Sequence, residues 1–163
     1  MATNTYVALQ TQTLTSNAAS VTFTSINQGY TDLVLVAAVK NTANTGDEVA
    51  FRVNGDTASN YSRVRIYGDG TNPGTSKSSG ITKGALGINS TTEFSVITAN
   101  FQNYSNATTY KSVISRGAAA GYTSMYASLW RSISAITSIT ILPESGTTFT
   151  TGSTLTLYGI LAA

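Results

Sequence analysis

The chain of 163 residues contains no histidine and no cysteine, and only 10% of its positions are charged. Each shortage excludes a class of chemistry. Histidine is the side chain that titrates near neutrality without help, so its absence removes the Ser-His and Cys-His nucleophile systems together. The usual zinc ligand sets, built on Cys and His, go with them. The acids are Asp32, Asp47, Asp56, Asp69, Glu48, Glu93 and Glu144, which leave a carboxylate pair or a Ser-Lys arrangement as the remaining routes to catalysis. No catalytic residue, metal ligand or cofactor is therefore expected, and the chain does not read as an enzyme.

Charge and hydropathy narrow the partners further. A formal net charge of +2 is too small for binding by phosphate neutralisation, so nucleic acid is not an expected partner. The longest apolar run, Leu33 to Val39, is far shorter than the roughly 20 residues of a membrane helix. The segment Met1 to Tyr6 has neither the basic region nor the apolar stretch of a secretory signal. The expectation is a protein made in the cytoplasm with no membrane partner.

What is present is strand-forming. Hydrophobic residues make up 41% of the chain, enough for one domain spanning 1–163 to bury a core without disulfides. The dominant period is two, which puts alternate side chains on opposite faces of a strand. Val49, Phe51 and Val53 alternate with Ala50, Arg52 and Asn54, and Asn54-Gly55-Asp56 follows with turn chemistry. Further strands are expected at Thr5 to Thr13, Ser20 to Thr24, Asp32 to Lys40, Tyr61 to Tyr67, Glu93 to Phe101, Thr109 to Ser115, Tyr126 to Arg131, Ile136 to Ile141 and Thr154 to Ile160.

No window keeps a helical period, and the best helical candidate is the small-residue stretch Gly117 to Ala120. The fold class is thus all-β: an antiparallel β-sandwich, jelly-roll-like, with eight to ten strands and little helix. A short polar N-terminal arm is expected over about residues 1–6. A long loop is expected over about residues 68–90, which are rich in Gly, Ser, Thr, Asn and Lys.

Candidate interaction residues follow from the strand patterns. Asp32 to Lys40 is apolar on both faces, which fits either a core strand under a crossing loop or a strand whose outer face a partner covers. In Tyr61 to Tyr67, Val64 and Ile66 share one face, and Tyr61, Arg63, Arg65 and Tyr67 the other. Tyr and Arg suit both a protein interface and a solvated face on which Arg stacks on Tyr. Trp130 beside Arg131 is either the largest core residue or, if exposed, an interface anchor or a sugar-stacking platform. The Asn-X-Ser/Thr sequons at Asn60, Asn89, Asn103 and Asn106 are expected to be unused, and the acids near Asp56 and Asp69 to cap turns.

Three blocks in this order resemble small β-sandwich structural proteins of tailed bacteriophages. They are Phe51-Arg52-Val53-Asn54-Gly55-Asp56 with Asn60-Tyr61-Ser62, then Trp130 leading into Ala135 to Ile141, and the closing Phe149-x-x-Gly152-Ser153-x-x-x-Leu157-Tyr158-Gly159-Ile160. The resemblance implies a virion component made in the host cytoplasm. In one form this is a capsid decoration (cement) protein on the capsid surface, a jelly-roll homotrimer bound to the major capsid protein. In the alternative it is a distal tail or fibre module that binds host-surface carbohydrate. No catalytic residues accompany such proteins; the matched blocks are expected to define the fold, with Asn54-Gly55 as a hairpin turn.

Overall fold

The computed structural model describes residues 5–43, 45–119 and 121–161. Twelve strands are formed: β1 (Tyr6–Thr13), β2 (Val21–Phe23), β3 (Asp32–Val39), β4 (Glu48–Val53), β5 (Tyr61–Gly68), β6 (Pro73–Ile81), β7 (Gly84–Ile88), β8 (Ser95–Phe101), β9 (Lys111–Ala119), β10 (Tyr122–Trp130), β11 (Ile139–Pro143) and β12 (Thr154–Ile160). All pair antiparallel, in an eight-stranded sheet of order β1-β12-β3-β8-β9-β10-β5-β6 and a four-stranded sheet of order β2-β11-β4-β7. There is no helix among the described residues.

The pairs β1·β12, β2·β11, β3·β8 and β4·β7 are nested: the first strand pairs with the last, the second with the last but one. A single long hairpin rolled up so that its strands alternate between two sheets gives this pattern, which is the jelly roll. Two hairpins are inserted into that ribbon, β5-β6 after β4 and β9-β10 after β8. β9 pairs with β8 and β5 pairs with β10, so the larger sheet carries four strands beyond the jelly roll.

The core lies between the sheets. Leu33, Leu35, Ile97, Phe101 and Leu157 from the large sheet meet Phe23, Phe51, Leu86 and Ile141 from the small one, all fully buried. Phe51 stacks edge-on against Phe101 at 5.4 Å between ring centroids, a geometry that adds to simple burial.

β7 is an edge strand, and its free edge is pressed onto the inner face of the inserted hairpin. The Ser128 hydroxyl donates to Ala85 O (3.0 Å) and accepts from Ala85 N (3.2 Å), supplying the bonds a further strand would have made. Such close approach requires missing side chains. A Cβ on Gly87 would stand 2.9 Å from Ile97 and 3.6 Å from the Gly117 Cα.

Several expectations change. The loop expected over 68–90 holds β6 and β7. β6 pairs with β5 alone and is largely exposed on both faces, whereas β7 is buried on both, so neither shows an alternating pattern. The helical candidate at Gly117 is the end of β9, with residue 120 outside the described residues; β10 starts at Tyr122, not Tyr126.

Of the N-terminal arm, residues 1–4 lie outside the described residues, and Tyr6 already pairs with Ile160. Asn54-Gly55 does form a turn, with φ of 53° and 66° and Asp56 N bonded to Val53 O at 2.9 Å. It closes no hairpin, because β4 and β5 belong to different sheets; the turn sends the chain across the sandwich.

Candidate interaction surface

Tyr61, expected on a surface face, is inside at 0% exposed, and Trp130, at 3%, is the core residue of its two readings. The Tyr61 hydroxyl accepts from Val53 N (3.1 Å) and donates to Asp56 O (3.2 Å), and burial pushes its pKa up to about 12. Trp130 Nε1 donates to Asp56 Oδ2 at 2.7 Å. Burial raises the Asp56 carboxyl, but hydrogen bonds from Asn60, Trp130 and the Ala58 amide outweigh it and hold the group below the usual carboxylate range. Arg131 is half-buried and laces the loop before β5, donating to Ser59 O (2.7 Å) and Ser79 Oγ (3.2 Å).

Arg63, Arg65 and Tyr67 share a face, as the alternation requires, but that face points inward. Arg63 Nη1 lies 2.6 Å from Glu48 Oε2, and Arg65 Nη1 lies 3.0 Å from Glu48 Oε1. The Tyr126 hydroxyl donates to the same Oε1 at 3.1 Å. Burial first, and the Glu48 charge second, drive the Tyr126 phenol well above its ordinary pKa. Arg65 also stacks on Tyr67, 4.3 Å from the ring centroid, so the expected Arg-Tyr stack exists on the opposite side from solvent. The cluster ties the inserted β5-β6 hairpin to β4 of the jelly roll.

Turning this face inward turns the other outward. Val64 and Ile66 are 54% and 53% exposed. The register sets Ile66 opposite Met125, itself 50% exposed, and Val64 opposite Ala127, which also faces Ile114 across β9. Val96 (58%) and Val36 (41%) extend the apolar area over β8 and β3. With Tyr6, seven of the eleven large hydrophobic side chains exposed among the described residues lie on this outer face of the eight-stranded sheet, a concentration uncommon on a monomeric domain. Five shallow grooves of 260 to 520 Å³ run along it.

The opposite outer surface, on the four-stranded sheet, carries a polar row beside Leu142 and Ala50 and exposes none of the large hydrophobic side chains. Thr22, Thr140 and Arg52 form one row across it, with a Thr22–Thr140 hydroxyl contact of 3.0 Å. The two sides of the sandwich therefore differ in kind.

On the β8-to-β6 part of the apolar side the charged groups are all of one sign, whereas Asp32 takes an outward position at the end of β3. From β8 across to β6 the outward positions include Arg116 and Lys77 and no Asp or Glu. Among the described residues no three His, Cys, Asp or Glu side chains converge as a metal site would need. The other buried cation, Lys111, faces inward; its Nζ donates to Thr109 O (2.6 Å) and Ile133 O (3.2 Å), and burial pulls its pKa down.

Sequence reasoning selected the Tyr/Arg face of β5 and passed over Val64, Ile66, Ile114, Met125 and Val96. The available signal was that Met125 and Ile114 sit on strands with buried residues at the alternate positions, so both faces of β9 and β10 carry apolar groups. No protein-family model matches the chain, and no curated protein is significantly similar to it.

Proposed function

We propose that this protein is a non-enzymatic structural component of a bacteriophage virion, a capsid decoration protein that seats on the major capsid lattice and stabilises the shell. One observation carries the docking part of this reading: the apolar outer face of the eight-stranded sheet, on a molecule whose other sheet presents a polar row. A broad apolar face of this kind suits contact with another folded surface, because apolar burial there is not tied to one ligand shape. The virion assignment rests on the resemblance of the blocks at Phe51, Trp130 and Phe149, together with a jelly-roll sandwich of matching size. Several copies around one lattice point, three in the arrangement the resemblance implies, multiply a weak contact into a firm one.

The carbohydrate-binding alternative has less support. Its stacking platform would be Trp130 or the Tyr61/Tyr67 face; Trp130 and Tyr61 are buried, and the half-buried Tyr67 ring is covered by the Arg65 guanidinium. The test is light scattering of the purified protein followed by co-sedimentation with empty phage capsids. A trimer that pellets with capsids is expected; a protein that stays in the supernatant at every concentration tried overturns the decoration reading.

A further inference from the structure

We infer that the surface docking on the outer sheet face is a protein surface that is apolar at its centre and carries carboxylates at its margin, placed to meet Arg116 and Lys77. This rests on the reading of that face as the docking surface and adds the chemistry of its partner. The apolar centre is Ile114, Ala127, Val64, Ile66 and Met125, joined by direct cross-strand register. Arg116 lies beside it, opposite Met125 on β9, and Lys77 lies on the other side, opposite Val64 on β6. The two cations are three strand spacings and two residues along the strand apart, about 16 Å at ~4.8 Å per strand and ~3.4 Å per residue. The arrangement is an apolar centre between two charges of the same sign.

Charge decides among the possible occupants. Covering Arg116 and Lys77 without a counter-charge desolvates both for no return. A second copy packed through the same β8-to-β6 area would bring two more cations and no carboxylate. An anionic bilayer would supply charge, but two cations are few for such binding, and the centre offers short aliphatic groups on a sheet face with no Trp or Phe. A protein surface with carboxylates satisfies both the apolar area and the charge.

The experiment compares the full-length chain with its Met125→Asp and Arg116→Glu variants, both altered at exposed strand positions so that melting temperatures stay close to that of the parent protein. The first probe is dodecanoate below its micelle concentration, with dodecyltrimethylammonium as the opposite-charge control, followed by amide NMR shifts. Dodecanoate is expected to shift β9, β10 and β5 amides at concentrations at least about fivefold lower than the cationic control, as one favourable against one unfavourable surface charge contact predicts. Arg116→Glu should reverse that order and Met125→Asp should weaken both. No preference for the carboxylate overturns the inference whatever the capsid result.

The second probe is the empty capsid. Parent protein that pellets while both variants stay in solution supports the inference; variants that pellet equally well overturn it and leave the decoration reading standing. Parent protein that prefers dodecanoate yet ignores capsids keeps the face and removes the decoration reading. Loss of oligomer mass in Met125→Asp, or pelleting with phosphatidylserine vesicles that Arg116→Glu abolishes, would assign the face to a second copy or to a membrane and overturn the inference.

Discussion

Glu48→Gln tests whether the inserted hairpin is held to the jelly roll by charge. The Glu48 carboxylate receives Arg63 at 2.6 Å, Arg65 at 3.0 Å and the Tyr126 hydroxyl at 3.1 Å, and its side chain is 12% exposed. The guanidinium groups are little more open, at 16% and 20%. Removing one partner of a fully buried pair costs about 3–5 kcal/mol because a charge is left desolvated. The residual exposure lowers that figure, and Gln keeps one acceptor for Tyr126, so a loss of about 2–3 kcal/mol is expected.

In urea this appears as a midpoint lower by about 1–1.5 M at an unchanged m of ~2 kcal/mol/M, and in a melt as a fall of about 4–12 °C. Salt separates the mechanisms: a surface pair is screened at 1 M NaCl, whereas this loss should persist. Replacing all three charges and the phenol, as in Glu48→Leu with Arg63→Met, Arg65→Met and Tyr126→Phe, should recover most of the stability, because an apolar cluster of similar volume carries no desolvation cost. A Glu48→Gln protein within about 0.5 kcal/mol of the parent, the range of an ordinary surface change, would refute the account of the hairpin's attachment.

Alkaline titration gives a second check. Tyr61 and Tyr126 are neutral in the fold well beyond the pH at which an unfolded phenol ionises, near 10. A raised folded pKa contributes stability that is complete below about pH 10 and is lost as pH rises through the folded value, about 12 for Tyr61. Absorbance at 295 nm should therefore show a late fraction of tyrosine ionisation coinciding with unfolding, and Tyr61→Phe should diminish it; simple titration of all nine tyrosines near pH 10 would contradict the burial argument.

Gly87→Ala should cost about 1–3 kcal/mol by overpacking against Ile97, with partial recovery in the Ile97→Val background measured by denaturant unfolding. Asn54 holds the 135–138 segment through Nδ2 to Ala135 O (2.8 Å) and through Oδ1 from Thr137 N (2.8 Å) and Ser138 N (3.2 Å), at a φ of 53°. Asn54→Gly keeps the backbone and loses the bonds, whereas Asn54→Ala loses both, so Ala should be the worse by about 1 kcal/mol in thermal unfolding. Equal losses would show that backbone conformation carries no weight there.

Period two along the chain determined that this protein is all-β, and it located ten of the twelve strands, because alternation between a core face and another face is written in neighbouring residues. β6 and β7 escaped for opposite reasons. Pro73–Ile81 is exposed on both faces and exists through backbone pairing with β5; Gly84–Ile88 is buried on both and is small because β9 and β10 press against it. Neither environment produces alternation, and both depend on strands far away in sequence.

Alternation also leaves one sign open: it says which β5 residues share a face, and not which face is inside. The Arg/Tyr face looked like the exterior. Tertiary structure turned it inward, because Glu48 and Tyr126 from β4 and β10 offer its charges partners out of water. Val64 and Ile66 were left outside, where cross-strand register joins them to Met125 and Ile114. The absence of histidine and cysteine was legible residue by residue. The apolar outer face was not, since it is assembled from strands β3, β8, β9, β10 and β5 and exists only once non-local pairing has put them side by side.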